Sequence, residues 1–156
     1  MENLELVIKD TKELLPLEFL KIIKERVRVF VVEQNCAYQE VDDKDDTARH
    51  VYFKSNDKIV AYARITLDQN ATTISFGRVL VVKEYRNLKL GKKIVTETIA
   101  EIQKLYPTKV IKISAQSYLK KMYESFGFQA VSGIYLEDDI PHISMVLNTW
   151  FEINNF

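Results

Sequence analysis

The sequence predicts an α/β fold in which helices cover both faces of a mixed β-sheet. Two long segments repeat apolar residues at intervals of three and four, which is typical of amphipathic helices, and the segments between them have the patterns of strands. Since helices lie between strands along the chain, the expected order is β-α-loop-β-β-β-α-β-α-β-β. At 156 residues the chain can close one core, so a single domain over residues 1–156 is expected.

The first element is a short strand, and the first helix follows it. In residues 4–8 the larger apolar side chains stand at every second position, which predicts a strand with one buried face. Pro16 suits the first turn of a helix, and apolar residues between positions 19 and 31 recur at helical spacing. Between residues 33 and 49 this periodicity is lost and acidic side chains dominate, so an acidic loop is expected.

Three β-rich segments come next, at residues 50–53, 59–67 and 72–82. Turn-forming residues separate them at positions 55–57 and 68–70. With such short connections the three segments are expected to pair as an antiparallel meander.

The second helix is the longest regular pattern in the sequence. Apolar residues return to helical spacing from Leu90 to Leu105, and Pro107 prevents the helix from continuing. A shorter helical pattern ends at Gly127, a typical helix terminator. The elements after the second helix are a strand, that short helix and a closing pair of strands, at residues 109–115, 118–126, 131–136 and 140–147.

The composition excludes several classes of function. The chain has 22 basic and 22 acidic residues, so its charge gives no reason to expect a nucleic-acid or membrane partner. No apolar run approaches the roughly 20 residues that cross a bilayer, and the N-terminal residues lack the pattern of a secretion signal. A single cysteine excludes an internal disulfide, and a reducing, cytoplasmic location is expected.

The acidic loop is a candidate metal site. Its aspartates at residues 42–46 resemble the start of a calcium loop, but Thr47 stands where that loop needs glycine. Phe53 likewise stands where the loop needs its closing glutamate. The sequence therefore predicts no metal.

A basic turn at residues 85–93 connects a buried strand to the second helix, and four of its residues are cationic. A helix N-terminus already carries partial positive charge and unpaired N–H groups, so added cations are unfavourable unless an anion binds there. The turn therefore predicts a phosphate or pyrophosphate site, with a solvated basic turn as the alternative. Gly91 favours the first interpretation, because a residue without a Cβ lets a ligand approach the backbone.

Two common phosphate-binding loops do not occur in the chain. It contains neither G-x-x-x-x-G-K-[ST] nor G-x-G-x-x-G after a strand. Nucleoside triphosphates and nicotinamide cofactors therefore lack their usual binding loop, and a different phosphate carrier is expected.

Three segments carry motifs of a known family. Residues 79–91 have the pattern of a strand followed by R-x-x-K-x-G, and residues 116–128 end in Tyr-x-x-x-Gly-Phe. The third comprises residues 29–40, with Asp42, Arg49 and His50 after them, and residues 139–142. Together these segments resemble the GNAT family of acetyltransferases, and the third resembles its ElaA-like branch.

The resemblance implies the GNAT-like acyl-CoA N-acyltransferase fold, with acetyl-CoA as cosubstrate. The strand and the basic turn would hold the pantetheine and the pyrophosphate of that molecule. The residues implied to bind acetyl-CoA are Leu80, Val81, Val82, Arg86, Asn87, Leu88, Lys89, Leu90, Gly91, Lys92, Gln116 and Tyr123.

Lys89 departs from the family motif, which has glycine at this position. A residue with a Cβ favours negative φ, so a left-handed backbone at Lys89 would carry strain. A lysine at this position resembles the motif of the ElaA-like branch. Lys89 is therefore interpreted as a residue that contacts the phosphate in place of the glycine.

Acetyl transfer to an amine needs a neutral nucleophile, stabilised charge on the acyl oxygen and a proton for the departing thiolate. Tyr123 resembles the family's tyrosine that protonates the CoA sulfur, and packing in the core is the alternative interpretation. The acyl oxygen would face a backbone N–H between residues 80 and 82, where the family's strand separates from its neighbour.

The base that accepts the proton of the amine stays open among five residues. These candidates are Glu33, Glu40, Asp42, His50 and His142. A carboxylate or an imidazole is required, because an ammonium group of pKa about 10 cannot attack while it is protonated. The acidic residues alternatively attract a cationic amine or form a solvated surface.

The predicted function is direct transfer of an acetyl group from acetyl-CoA to a primary amine of a small molecule or peptide. Two alternatives stay open: a CoA-binding sensor or interaction module without turnover, and an acyltransferase that uses a longer acyl-CoA. The protein is expected to be a monomer or a homodimer, since the aromatic tail of Trp150, Phe151 and Phe156 either caps the core or forms a dimer contact.

Overall fold

The computed structural model describes residues 3–67 and 72–148. The helices in these ranges are α1 (Pro16–Val27), α2 (Leu90–Leu105) and α3 (Lys120–Glu124). The strands are β1 (Leu4–Asp10), β2 (Arg49–Ser55), β3 (Lys58–Leu67), β4 (Thr73–Val81), β5 (Val110–Gln116), β6 (Gln129–Ala130), β7 (Tyr135–Glu137) and β8 (Ile140–Leu147).

The strands form one mixed sheet in the order β1-β2-β3-β4-β5-β8-β6, and β7 also pairs with β8. The neighbours from β1 to β4 are antiparallel, β4 and β5 are parallel, and β5 and β8 are antiparallel. The parallel pair is possible because α2 carries the chain back across the sheet between the two strands. The predicted meander and the predicted α/β class with a mixed sheet are therefore confirmed.

Apolar side chains cover both faces of the sheet. On one face α2 contributes Ile94 and Val95, which are fully buried in one apolar cluster with Ala61 of β3. On the other face Ile22 of α1 lies in a second cluster with Tyr62 of β3. The alternation of side chains along β3 thus serves two cores, as expected for helices on both faces.

The first helix differs from the prediction at its C-terminal end. The α-helical hydrogen bonding gives way to a π-helical segment at Arg28–Glu33. A bond of 3.2 Å from the Gln34 N–H to the Val29 carbonyl spans the five residues that define such a turn. The apolar periodicity continues through both parts and so does not reveal the change, which brings Glu33 to the cleft described below.

The strand predicted at residues 131–136 is wrong for most of its length. β6 already ends at Ala130, and only the last two residues of the predicted strand belong to β7. Between them the Ser132 hydroxyl accepts the Ser144 N–H at 2.9 Å and replaces a bond of the backbone ladder. Ile134 is 69% exposed, so the apolar pattern of this segment does not reflect burial.

Some predicted features lie outside the described residues, namely the turn at residues 68–70 and the side chains of Trp150, Phe151 and Phe156. In the two described ranges none of the helices combines the length and apolar character that a membrane span requires. Within those ranges, too, no three side chains of His, Cys, Asp or Glu gather where they could hold a metal ion.

Candidate active site

A cleft opens where β4 and β5 separate. The two strands pair only at Thr73 with Val110 and at Ile74 with Ile111. Beyond these pairs the strands diverge, and residues from both faces of the sheet line a cleft of about 670 Å³ between them. This separation is a property of strand pairing, which the sequence pattern of either strand does not contain.

β4 leaves a peptide group unpaired at the edge of this cleft. A β-bulge at Arg78, where φ is +51°, shifts the register of β4 against β3. Beyond the bulge the Val82 N–H bonds to the Val60 carbonyl on β3 at 3.0 Å. Successive residues of a strand point their peptide groups to opposite sides, so the N–H and C=O of Val81 face the cleft. An extended ligand can therefore pair with β4 at this position.

The loop between β4 and α2 has an unusual backbone. Asn87 and Lys89 both adopt left-handed conformations, with φ of 68° and 61°. Asparagine tolerates this region, whereas the lysine, at the N-cap of α2, carries strain of roughly 1–2 kcal/mol. The backbone at Lys89 therefore has the left-handed conformation that glycine adopts easily. The Cβ of Lys89 strains this conformation but does not prevent it.

The N-terminus of α2 is strongly basic. Its first turn contains no acidic residue, and Lys89, Lys92 and Lys93 are exposed around it. Arg86 lies on the preceding loop and lines the cleft, as does Gly91 in the first turn. Unpaired N–H groups and cations therefore converge at one end of the cleft, as a phosphate group requires.

Half of the residues implied to bind acetyl-CoA line the cleft. They are Leu80, Val81, Arg86, Gly91, Gln116 and Tyr123. Val82 and Leu90 are instead buried in the two apolar clusters, where they hold the end of β4 and the start of α2 in the core. The remaining four are exposed on the loop and the first turn of α2: Asn87, Leu88, Lys89 and Lys92.

Tyr123 of α3 lies on the cleft wall with 5% of its surface exposed. Its ring packs edge-on against Phe128 and near Phe76, at centroid distances of 5.8 and 6.2 Å. Its hydroxyl makes no hydrogen bond to any residue that the structure describes. Burial, together with the nearby Tyr118, raises the pKa of Tyr123 to about 12, so the phenol stays protonated at neutral pH.

His142 of β8 lies opposite Gln116 of β5, and both line the cleft. Its Nδ1 is 2.6 Å from the Ile140 carbonyl oxygen, which can only accept a hydrogen bond, so Nδ1 carries the proton. In the neutral ring Nε2 is therefore unprotonated, and it stands 3.3 Å from Glu137 Oε2. A proton received at Nε2 would be shared with that carboxylate.

Glu33, at the end of the π-helical segment, forms an ion pair with Arg86 in the cleft. Its Oε2 is 2.7 Å from Arg86 Nη2, and the two side chains are 26% and 40% exposed. Arg86 Nε also donates to the Val81 carbonyl oxygen at 3.0 Å. Arg86 thus binds both a carboxylate and the carbonyl of β4 that has no strand partner.

His50 lies away from these groups and does not line the cleft. It is fully buried, with Nε2 2.7 Å from Thr11 Oγ1 and Nδ1 2.6 Å from the Tyr62 hydroxyl. Burial, followed by the positive charge of Arg26, lowers the pKa of His50 to about 4, so the ring is neutral at pH 7. The structure does not bring it together with Tyr123, Glu33 and His142, which line the cleft.

Arginines neutralise the acidic loop. Three guanidinium groups and three carboxylates form a largely buried network of Arg26, Arg64, Arg78, Glu40, Asp42 and Asp45, here called the arginine network. Glu40 Oε1 accepts from Arg26 and from Arg78, at 2.8 and 2.9 Å. Asp42 accepts from Arg64 at 2.7 Å. Two of the predicted bases, Glu40 and Asp42, are therefore engaged within the protein.

The family of the chain follows from comparison with known proteins. Residues 20–149 match the family described as acetyltransferase (GNAT) domain. The chain belongs to the GNAT family. Its fold is accordingly that of the acyl-CoA N-acyltransferases, as the sequence motifs implied.

The relatives of this GNAT protein place it in the ElaA-like branch. It is 41% identical over 127 residues to protein ElaA of Escherichia coli, a match that covers 80% of this chain and 83% of ElaA. The crystal structure of Escherichia coli ElaA has a TM-score of 0.87 at 36% identity, covering 92% of this chain and 98% of that one. An acyl-CoA N-acyltransferase from Pseudomonas aeruginosa has a TM-score of 0.86 at 32% identity, covering 91% and 98% of the two chains.

Sequence reasoning missed the cationic side of the site in this GNAT protein. Lys44, Arg64 and Arg78 line the cleft, and none of them was predicted to contact a ligand. The available signal was an arginine inside an otherwise apolar strand, which occurs in both β3 and β4. A buried arginine needs carboxylate partners, and the acidic loop is a dense cluster of them in the sequence.

Proposed function

We propose that this GNAT protein transfers an acetyl group directly from acetyl-CoA to a primary amine of a small molecule or peptide. The observation that carries the proposal is the separation of β4 from β5, which leaves the backbone N–H and C=O of Val81 without a strand partner in one cleft with Tyr123. A basic helix N-terminus lies at the end of the same strand. A ligand that has amide groups along its length and a diphosphate at one end matches this arrangement.

The residues of the cleft suit pantetheine and diphosphate groups. A pantetheine amide can pair with Val81 and replace the strand partner that β4 lacks there. The N–H groups at the start of α2, together with Lys89 and Lys92, can balance the charge of a diphosphate. The acetyl-CoA thioester would then lie between the strands, within the cleft that Tyr123 lines.

Tyr123 is proposed as the acid that protonates the departing CoA thiolate. Its raised pKa keeps the proton on the phenol at neutral pH, so the donor is in the required form. The CoA thiol, with a pKa of about 8.5, is a stronger acid than the Tyr123 phenol. The proton transfer from Tyr123 to the thiolate therefore depends on the proximity of the two groups and on a buried site that disfavours the thiolate. The Val81 N–H is available to stabilise the acyl oxygen.

His142 is proposed as the base. Its Nε2 takes a proton from the amine as the nitrogen bonds to the acetyl carbon, and the neighbouring Glu137 stabilises the imidazolium. The carbon–sulfur bond then breaks, the thiolate takes the proton of Tyr123, and solvent takes the proton of the imidazolium and returns one to the phenolate. Glu33, which is bound to Arg86, and His50, which is buried elsewhere, have no part in this step.

The test uses the purified protein, acetyl-CoA and a panel of primary amines, with release of free CoA thiol and mass spectrometry of the product as readouts. Tyr123→Phe keeps the ring packing and is expected to lower kcat by about 100-fold or more, while CoA affinity by calorimetry stays nearly unchanged. Tyr106→Phe, at the end of α2 and outside the cleft, is the control and is expected to keep the wild-type rate. CoA binding without thiol release for any amine would instead indicate a CoA-binding module.

A longer acyl-CoA is a second candidate, because the cleft wall on the side of Tyr123 is apolar. Phe76, Ile113 and Met122 line it there. Acetyl-, butyryl- and hexanoyl-CoA in the same assay distinguish the two candidates. If the protein is an acetyltransferase, kcat/KM falls as the chain lengthens, whereas a rise would assign the apolar wall to a longer acyl group.

A further inference from the structure

The cleft of the proposed acetyltransferase has opposite charges in its two parts. At the open end of the separation between β4 and β5 it is lined by Glu137 and Asp138, beside Glu33 and Arg86, which neutralise each other as an ion pair. Towards the closed end, where the two strands pair, it is lined by three cations: Lys44, Arg64 and Arg78. A ligand that spans both parts therefore meets a negative and a positive surface.

The arginine network is polarised towards the cleft. Arg64 and Arg78 line the cleft, whereas their three carboxylate partners do not: Glu40, Asp42 and Asp45. Glu40 and Asp45 are each 3% exposed, so these charges lie behind the guanidinium groups. The network balances its charges internally and still presents its positive groups to a ligand.

Arg78 is fixed in position and keeps a free donor. Its Nε and Nη2 donate to the side chain and the carbonyl of Glu40, each at 2.9 Å, and its Cζ lies 5.5 Å from the centre of the Tyr38 ring. Its Nη1 makes no hydrogen bond to a residue of the described ranges. A guanidinium held along one edge can bind an anion with little further loss of side-chain entropy.

The space beside Arg78 is open and polar. A Cβ added to Gly77 would meet no atom within 4 Å. Ser75 and Thr66 place hydroxyl groups in the same part of the cleft lining. Lys44 also lines it, and its ammonium group forms no ion pair with any described residue. A free cation, a fixed guanidinium and hydroxyl groups around one open space suit an anionic group.

We propose that the acceptor amine also carries an anion, a carboxylate or a phosphate, which binds at Arg78 and Lys44 while the amine lies near His142. This inference rests on the proposed function and specifies its acceptor. Arg78 lies on β4 and His142 on β8, and β5 stands between these strands in the sheet, so roughly two strand spacings, about 10 Å, separate them and the amine and the anion are several bonds apart. An ω-amino acid or an aminoalkyl phosphate fits, whereas the cations repel a polyamine.

Acceptors of matched length test the inference with the wild-type protein. We compare δ-aminovalerate with δ-aminovaleramide, cadaverine and aminobutylphosphonate in the thiol-release assay. The acid is expected to exceed its amide about 10-fold or more in kcat/KM, because the amide cannot form charge-assisted hydrogen bonds as an anion. Cadaverine is expected to be slowest, and the phosphonate shows whether the site prefers a carboxylate or a phosphate.

Two variants test the residues of the site. Lys44→Gln removes an exposed cation that has no ion pair among the described residues, and it is expected to lower the acid-to-amide preference about three-fold or more. Gly77→Val fills the open space at a position without positive φ, and it is expected to raise KM for the acid. Lys58→Gln, on an exposed residue outside the cleft, is the control and should keep the preference.

Equal kcat/KM for δ-aminovalerate and its amide, with measurable acetyl transfer to both, would overturn this inference and leave the proposed function standing. An acid-to-amide preference that Lys44→Gln and Lys58→Gln reduce equally would also overturn it. Absence of thiol release with every acceptor would overturn the proposed function itself.

Discussion

The Arg86 guanidinium binds the Glu33 carboxylate at 2.7 Å and the Val81 carbonyl oxygen at 3.0 Å. The first bond joins the basic loop to the π-helical segment that follows α1. The second occupies the peptide group of β4 that the proposed cosubstrate would use. Acetyl-CoA is therefore expected to compete with Glu33 for Arg86 when it enters the cleft.

Glu33→Gln is expected to tighten CoA binding about two- to five-fold. The variant removes the charge that competes with the diphosphate for Arg86, and a partly exposed ion pair of this kind contributes at most about 1 kcal/mol. Isothermal titration calorimetry with CoA measures the change. Glu84→Gln, which removes an exposed acid from the same loop, is the control for the lost charge. Weaker binding by Glu33→Gln would show that the ion pair supports the site.

Lys89→Gly is expected to raise the free energy of unfolding by up to about 1 kcal/mol. Glycine adopts a φ of 61° without the penalty of a Cβ, although its greater freedom in the unfolded chain cancels part of the gain. Lys92→Gly removes the same charge from inside α2 and is expected to lower the free energy of unfolding by about 1 kcal/mol. Urea unfolding measures both. Equal destabilisation of the two variants would refute strain at Lys89.

The long regular elements were predictable because their signals are local. α2 runs from Leu90 to Leu105, where apolar spacing begins and where Pro107 prevents continuation. β8 occupies Ile140–Leu147, as its apolar pattern indicated. Since the order of such elements limits the ways in which they can pack, the fold class followed from them.

The site was less predictable because it depends on contacts between distant residues. Arg64 bonds to Asp42 across 22 positions and Arg78 bonds to Glu40 across 38, so neither arginine shows its partner in the local sequence. The family motifs did indicate Tyr123, which lies in the cleft. They could not exclude His50, because both faces of β2 are largely buried and its sequence does not show which face lies towards the cleft.

His50 is expected to make stability fall as the pH is lowered from 6.5 to 4. Its pKa in the folded protein is about 4, below the ordinary 6.5, because burial and Arg26 disfavour the imidazolium. Within this interval the unfolded chain binds a proton that the folded chain does not, so the free energy of unfolding decreases by about 3 kcal/mol in all. Above the interval both states are neutral at this position and the contribution is constant.

Urea unfolding between about pH 4 and 7 measures this dependence. His50→Asn is expected to flatten it, because the variant lacks the buried imidazole to which the dependence is assigned. Asp45 does not titrate in this range, because its bonds to Arg26 outweigh the effect of its burial and hold its pKa at about 2. An unchanged slope in His50→Asn would assign the dependence to other groups.

His142→Ala is expected to lower kcat/KM by about 100-fold, and added imidazole is expected to restore part of the loss. A general base contributes about 100-fold or more to such a reaction, and removal of the ring leaves a space beside Gln116 that a free imidazole can fill. His142→Gln is the matched control, because its side chain fills much of the same space without a base. This variant is expected to lose as much activity as His142→Ala and to recover none of it when imidazole is added. Recovery in the alanine variant alone identifies proton transfer at this position, whereas wild-type activity in His142→Gln would assign the base to another group of the cleft.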